Sequence, residues 1–131
     1  MKGIVYFLVK DLEKSIEFYT QLLEMPPVNT EMHDGKLRWA DWGDKSCIAL
    51  IRADAISDKV IYGNNAVLNY SVDDLQGEYR KAKKLGAKII AEIMLVHENP
   101  YRYECFMIED LDGNLIEIAM YDKSDKFVLE T

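Results

Sequence analysis

Apolar residues along this chain fall into two rhythms, short continuous runs and helix-spaced stripes. Ile4 to Val9 is an unbroken β-rich run, short enough for a strand buried on both faces. Asp11 follows as a helix N-cap, with Glu13 suited to the positive end of the helix dipole. Leu12, Ser15, Ile16, Tyr19, Leu22 and Leu23 share one side at helical spacing, which predicts an amphipathic helix over 12–24. Pro26-Pro27 stops it. Three short strands are then expected, Val28 to His33, Lys36 to Trp42 and Ser46 to Arg52. The turns between them are Asp34-Gly35 and Gly43-Asp44-Lys45.

After a polar stretch without periodicity, the same order restarts. Ala66 to Val72 reads as a strand, and Asp74 can cap a second helix. Leu75, Tyr79, Ala82 and Leu85 mark one face of that helix, and Gly86 ends it. Strands are expected over Lys88 to His97, Arg102 to Glu109 and Leu115 to Tyr121. The echo reaches individual residues: Val9-Lys10-Asp11-Leu12 returns as Val72-Asp73-Asp74-Leu75, and Leu22 as Leu85, each at an offset of 63.

The predicted fold class is therefore α+β, two tandem βαβββ modules. Module one runs over about 3–53, a linker over 54–65, module two over about 66–121 and a polar tail over 122–131. A sheet with a helix on one face leaves its other face bare. Two such sheets side by side can curl into one mixed sheet, a cup with helices outside and a concave, ligand-binding interior.

The last hairpin holds the most informative residue. Asp112-Gly113-Asn114 is a tight-turn signal between apolar runs, because Gly takes positive φ freely and Asn or Asp bond their own backbone. On the strand that follows, a carboxylate, Glu117, sits between Leu115 and Ala119 on one face. Such a charge belongs either to a solvated face or to a pocket.

Composition narrows the partners. With 131 residues the chain holds one domain's worth of core, and 49% hydrophobic content is that of a globular protein. A net charge of −7 argues against nucleic acid as a partner. Apolar runs stay well under the roughly 20 residues of a membrane span. Met1-Lys2 leads directly into strand pattern, which leaves no place for a signal peptide, so a cytoplasmic protein without a membrane partner is expected. Cys47 and Cys105 both lie inside apolar runs and read as buried free thiols.

The repeated Val-x-Asp-Leu, with Asp110-Leu111-Asp112-Gly113-Asn114-Leu115-Ile116-Glu117-Ile118 near the end, resembles the vicinal oxygen chelate superfamily. That group contains glyoxalase I, the bleomycin-resistance proteins, fosfomycin-resistance enzymes and extradiol dioxygenases. The resemblance covers residues 3 to about 121, with Leu111 standing where the family's turn usually has proline. It implies four metal-ligand positions, and they fall on Ile4, Ala49, Val67 and Glu117. Three of these are aliphatic. A divalent site of this kind needs at least two histidines and a carboxylate, so no metal cofactor is expected and the site reads as degenerate. His33 and His97 fall near strand ends, away from those positions.

Pleating places Leu115, Ala119 and Tyr121 on the face of Glu117, with Ile116, Ile118 and Met120 opposite. By the same logic Ile4, Tyr6, Leu8, Val67, Asn69 and Ser71 face the cavity. Candidate ligand contacts are thus Tyr6, Trp39, Trp42, Asn69, Ser71, Tyr101, Arg102, Tyr103 and Tyr121. Trp39 and Trp42 lie three apart, so a straight strand turns at most one of them inward. Two readings stay open. One is a metal-free module resembling bleomycin-resistance proteins, holding a small, partly aromatic or apolar molecule. The other is a lyase or isomerase of the glyoxalase I type, with Glu117 as general acid/base or in a weak divalent-metal site. A homodimer is expected, since one-sided sheets leave edges to cover.

Overall fold

Two aspartates start the two helices. Asp11 Oδ1 accepts the Lys14 backbone N–H at 3.1 Å and opens α1 (Leu12–Leu23). Asp74 Oδ1 accepts the Gly77 N–H at 3.0 Å and opens α2 (Leu75–Leu85). The structure is a computed structural model that describes residues 5–43, 48–57, 60–63, 66–99 and 101–121. Ile4, Cys47 and the tail with Phe127, Val128 and Leu129 lie outside the described residues.

Around the helices run β1 (Phe7–Val9), β2 (Asn29–His33), β3 (Lys36–Asp41), β4 (Ala49–Arg52), β5 (Val67–Ser71), β6 (Lys88–His97), β7 (Tyr103–Glu109) and β8 (Leu115–Tyr121). The fold is α+β, and both modules are βαβββ. Each makes a four-stranded mixed sheet, ordered β1-β4-β3-β2 in one and β5-β8-β7-β6 in the other. In each the first strand runs parallel to the last and the remaining pairs are antiparallel. The repeat read from Val9-Lys10-Asp11-Leu12 and its echo is thus repeated strand for strand in topology.

The chain forms two compact units. The first takes in the residues up to Ala66 together with the turn Asp110–Asn114. Here α1 packs on β3 and β4, burying Leu12, Phe18, Tyr19 and Leu22 against a core with Val9, Trp42 and Leu50. Phe18 was not in the helical stripe drawn from the sequence, while Ile16 and Leu23 end up half-buried. Glu24, in the left-handed conformation, ends the helix ahead of the two prolines. Asp34 and Gly35 both take positive φ, the two-residue hairpin expected there.

β1 departs from expectation. It spans three residues at a sheet edge, and Val5 and Tyr6 before it are exposed. The apolar run suggested a strand covered on both faces, whereas Phe7 and Leu8 are only half-buried and Val9 is the buried residue of β1. A short 3-10 turn, Ala53–Ala55, follows β4.

In the second unit, α2 packs on β6, β7 and β8. Phe106, Ile108, Ile116 and Ile118 are fully buried, and Tyr79 of α2 meets Phe106 edge-on at 5.2 Å. Phe106 pairs with Ile118 and Ile108 with Ile116, so these four define the helix-facing side. Among the described residues no helix is long and apolar enough to cross a membrane.

The Asp110–Asn114 turn of the first unit is held by hydrogen bonds of its own. Asp110 N–H donates to the Asn114 carbonyl at 2.9 Å and Gly113 N–H to the Asp110 carbonyl at 3.2 Å. With Gly113 at φ 84°, this is a three-residue hairpin loop closed by a left-handed glycine. The carboxylate of Asp110 is buried and takes four donors, the backbone N–H groups of Asp112 and Asn114, the Asn114 side-chain amide and the Tyr19 hydroxyl.

Candidate functional site on the sheet of the second unit

β8 lies between β5 and β7, so Leu115 to Ala119 each have an in-register neighbour on both sides. Asn69 on β5 and Met107 on β7 oppose Glu117, while Cys105 opposes Ala119 and Tyr103 opposes Tyr121. Alternation sends Ile116 and Ile118 beneath α2 and brings Glu117, Ala119 and Tyr121 to the other face. Cys105, Tyr103 and Asn69 come to that face by register.

On this face the polar groups form one network. Tyr103 Oη donates to Glu117 Oε1. The Asn69 amide N–H₂ also donates to Glu117 Oε1, and lies 2.9 Å from Tyr103 Oη. Tyr121 Oη donates to Asn69 Oδ1 at 2.6 Å. The carboxylate charge fixes the amide orientation, because the opposite one would set two acceptors against each other.

Tyr103 is four residues along the register from Glu117, so its ring must lie along the strand direction to reach it. Ala119 makes this feasible. It is the intervening residue on β8, its methyl leaves the space open, and Tyr103, Cys105 and Ala119 pack as one cluster with Tyr101 and Tyr121 against them.

The titratable groups here respond to burial and to one carboxylate. Burial and the Glu117 hydrogen bond hold the Tyr103 hydroxyl well above the ordinary phenol value, with the Asn69 N–H pulling weakly the other way. Tyr121 is raised by burial and by the Glu117 charge, partly offset by its hydrogen bond with Ser71. Burial pushes the Cys105 thiol up, and Glu117 adds to this as charge and hydrogen-bond partner. Both phenols and the thiol are therefore neutral donors at physiological pH, and a protonated Cys105 is a poor nucleophile.

Aromatic rings surround the network. Tyr103 and Tyr121 lie 4.9 Å apart at 35°, and Tyr101 meets them at 6.2 and 6.3 Å. His97 packs on Tyr101 and Tyr103 at 4.8 and 5.7 Å, and its Nδ1–H donates to the Tyr101 carbonyl at 2.8 Å. The sequence marked His97 only as a rim residue. Its register opposite Tyr103 was hidden by the irregular pairing of β6.

Other candidates have partners of their own. Arg102 is exposed and held by Glu98 and Glu104 at 2.8 and 2.9 Å. In the first unit, Trp42 is fully buried and donates Nε1–H to the Met25 carbonyl at 2.8 Å, so it is a core residue rather than a ligand contact. Trp39 is half-buried, meets Tyr6 edge-on at 5.4 Å and donates to Asp41. A recess of about 340 Å³ lies beside Tyr6, Leu8, Ile61, Tyr62 and Asn114, and Glu117 is not among its walls.

The positions where a family metal would bind do not fit one. Ala49 is fully buried in β4 and Val67 is half-exposed on β5, and neither carries a donor atom. Glu117 Oε1 is already taken by Tyr103 and Asn69. Among the described residues, no three His, Cys, Asp or Glu side chains converge.

Comparison with known proteins agrees with this topology. The family model of the Glyoxalase/Bleomycin resistance protein/Dioxygenase superfamily matches residues 3–118. The uncharacterized protein YwbC of Bacillus subtilis (strain 168) is 34% identical over 115 residues, which cover 84% of this chain and 89% of YwbC. A superfamily member from Sphaerobacter thermophilus superposes with a TM-score of 0.70 at 17% identity, over 92% of this chain and 98% of its own. A glyoxalase-related enzyme from Fulvimarina pelagi gives 0.63 at 16% identity, over 92% and 87%.

Proposed function

Because the chain belongs to the glyoxalase/bleomycin resistance protein/dioxygenase superfamily, we propose that it binds a small, partly aromatic or apolar molecule without a metal. The ligand contacts the sheet face of Asn69, Tyr103, Glu117 and Tyr121. The observation that carries this reading is the bonding of Glu117. At the one retained ligand position, the carboxylate is engaged by Tyr103 and Asn69, while Val67 and Ala49 supply no donor. A face with buried Tyr103 and half-buried Tyr101 and Tyr121 around a polar centre suits a small molecule, being apolar in area with few orienting groups.

A glyoxalase-type lyase or isomerase finds less support. Such an enzyme asks Glu117 to take a substrate proton, yet its Oε1 already accepts two hydrogen bonds, and no histidine joins it in a ligand set. Metal analysis of the purified protein, beside a glyoxalase assay with added Ni or Zn, separates the two. The expected result is substoichiometric metal and no turnover, with saturable binding of compounds from an aromatic metabolite and drug panel that shifts the signals of Tyr103 and Tyr121. Tightly held stoichiometric metal would sink the metal-free reading.

The proposal includes a cytoplasmic homodimer. β6 is an edge strand of ten residues, with Ile90, Met94, Leu95 and Val96 all exposed, the kind of edge a second copy covers. Light scattering tests it.

A further inference from the structure

Resting on that reading, we infer that the ligand carries a cation, a quaternary or protonated amine, which sits against Glu117 and the tyrosine rings. The ground is a charge that no lysine or arginine among the described residues balances. Glu117 takes hydrogen bonds from the Tyr103 hydroxyl and the Asn69 amide. Both donors are neutral. They solvate a carboxylate and leave its full negative charge in place.

Two cations of the second unit are paired with other carboxylates. Lys88 is paired with Glu109 at 3.3 Å, and Arg102 with Glu98 and Glu104. Among the described residues, no lysine or arginine lies within ion-pairing distance of Glu117. The raised Tyr103 and Tyr121 hydroxyls stay protonated, so they add no charge of their own but also cancel none.

The rings define the other half of the site. Tyr101, Tyr103 and Tyr121 lie within 6.3 Å of one another at interplanar angles of 35° to 87°, which gathers three aromatic rings beside the carboxylate that Tyr103 bonds. A cation within about 6 Å of such ring centres is attracted by their quadrupoles, and more strongly once desolvated. A carboxylate beside several aromatic faces favours an ammonium group. It rejects carboxylates and phosphates by repulsion, and holds a neutral isostere through apolar contact alone. The chain's net charge of −7 draws cations in the same direction.

The test titrates the full-length protein with choline, with its neutral isostere 3,3-dimethylbutan-1-ol, and with benzoate, following amide and tyrosine-ring NMR signals. Choline is expected to shift Tyr103, Glu117, Ala119 and Tyr121 at least 10-fold more tightly than the isostere, with benzoate silent there. Glu117→Gln keeps an oxygen acceptor for Tyr103 and Asn69, and should lower choline affinity at least 10-fold. Tyr121→Leu removes one ring and should also weaken it. Equal binding of choline and isostere, or choline binding untouched by Glu117→Gln, overturns the cation inference. Binding of benzoate or a neutral aromatic at these residues without choline overturns it too, while leaving the small-molecule reading intact. No compound of any charge at this face overturns both.

Discussion

The hydroxyl of Tyr19, on the first helix, donates a 2.9 Å hydrogen bond to the carboxylate of Asp110, ninety-one residues further along the chain. Both groups are buried, and the bond fastens the Asp110–Asn114 turn within the first unit. Tyr19→Phe removes one of four donors from a buried carboxylate, and is expected to cost about 1–3 kcal/mol in urea unfolding. Asp110→Ala strips four donors of their acceptor at once and should cost more than Tyr19→Phe. Equal effects of the two variants would show that the turn is not held by this network.

The same phenol predicts an alkaline limit. Burial, then the Asp110 charge and hydrogen bond, hold Tyr19 well above the ordinary value near 10, and Tyr103 and Tyr121 are raised as well. A raised folded value means that the native state keeps a proton the unfolded chain gives up. The stabilisation is therefore complete below about pH 10 and is lost as pH climbs from there towards the folded values. In a titration read at 295 nm, Tyr19, Tyr103 and Tyr121 should ionise later than the exposed tyrosines or together with unfolding. Tyr19→Phe should flatten the alkaline loss of stability. A single wave near pH 10 with no loss of fold would contradict the assignment.

Two glycines separate conformational strain from steric contact. Gly35 and Gly63 have nearly the same φ, 73° and 71°. A Cβ on Gly35 meets nothing within 4 Å, whereas on Gly63 it would fall 2.3 Å from the Gly113 carbonyl oxygen. Gly35→Ala should cost only the left-handed penalty of about 1–2 kcal/mol. Gly63→Ala adds a backbone clash and should cost clearly more in parallel denaturation curves. If the two cost the same, the close approach of residues 63 and 113 is not present in solution.

Much of this fold could be read from single residues. Asp11 and Asp74 cap their helices as expected, and β6 and β8 begin and end at the expected residues. Local chemistry decides those features. What the sequence could not show depends on neighbours brought in from elsewhere. β1 looked doubly buried from its composition, yet Phe7 and Leu8 are half-buried, because the cover over a strand's faces comes from elements distant in sequence. At the candidate site, alternation placed Glu117, Asn69 and Tyr121 on one face. The bond from Tyr103 needed more than alternation, since it relies on the gap over Ala119 and on a ring lying along the strand. Phe18 joined the core because the buried arc of the helix is rotated towards it and away from Ile16 and Leu23.

The two tryptophans show the same divide. Three residues apart, they were expected on opposite faces, with nothing to say which one faced inward. Trp42 is fully buried, packs 5.9 Å from Tyr19 and donates its indole N–H to the Met25 carbonyl. Trp39 is half-buried, and its indole N–H goes to Asp41. Trp39→Phe leaves Trp42 as the sole indole emitter, and its fluorescence should be blue-shifted and resist acrylamide quenching. Trp42→Phe leaves Trp39, with red-shifted and readily quenched emission. The stabilities should diverge in the same sense. Trp42→Ala empties a large core site and costs about 3–5 kcal/mol, while Trp39→Ala costs under half of that. Should the protein lacking Trp39 be the readily quenched one, the placement of Trp42 in the core of the first unit would be wrong.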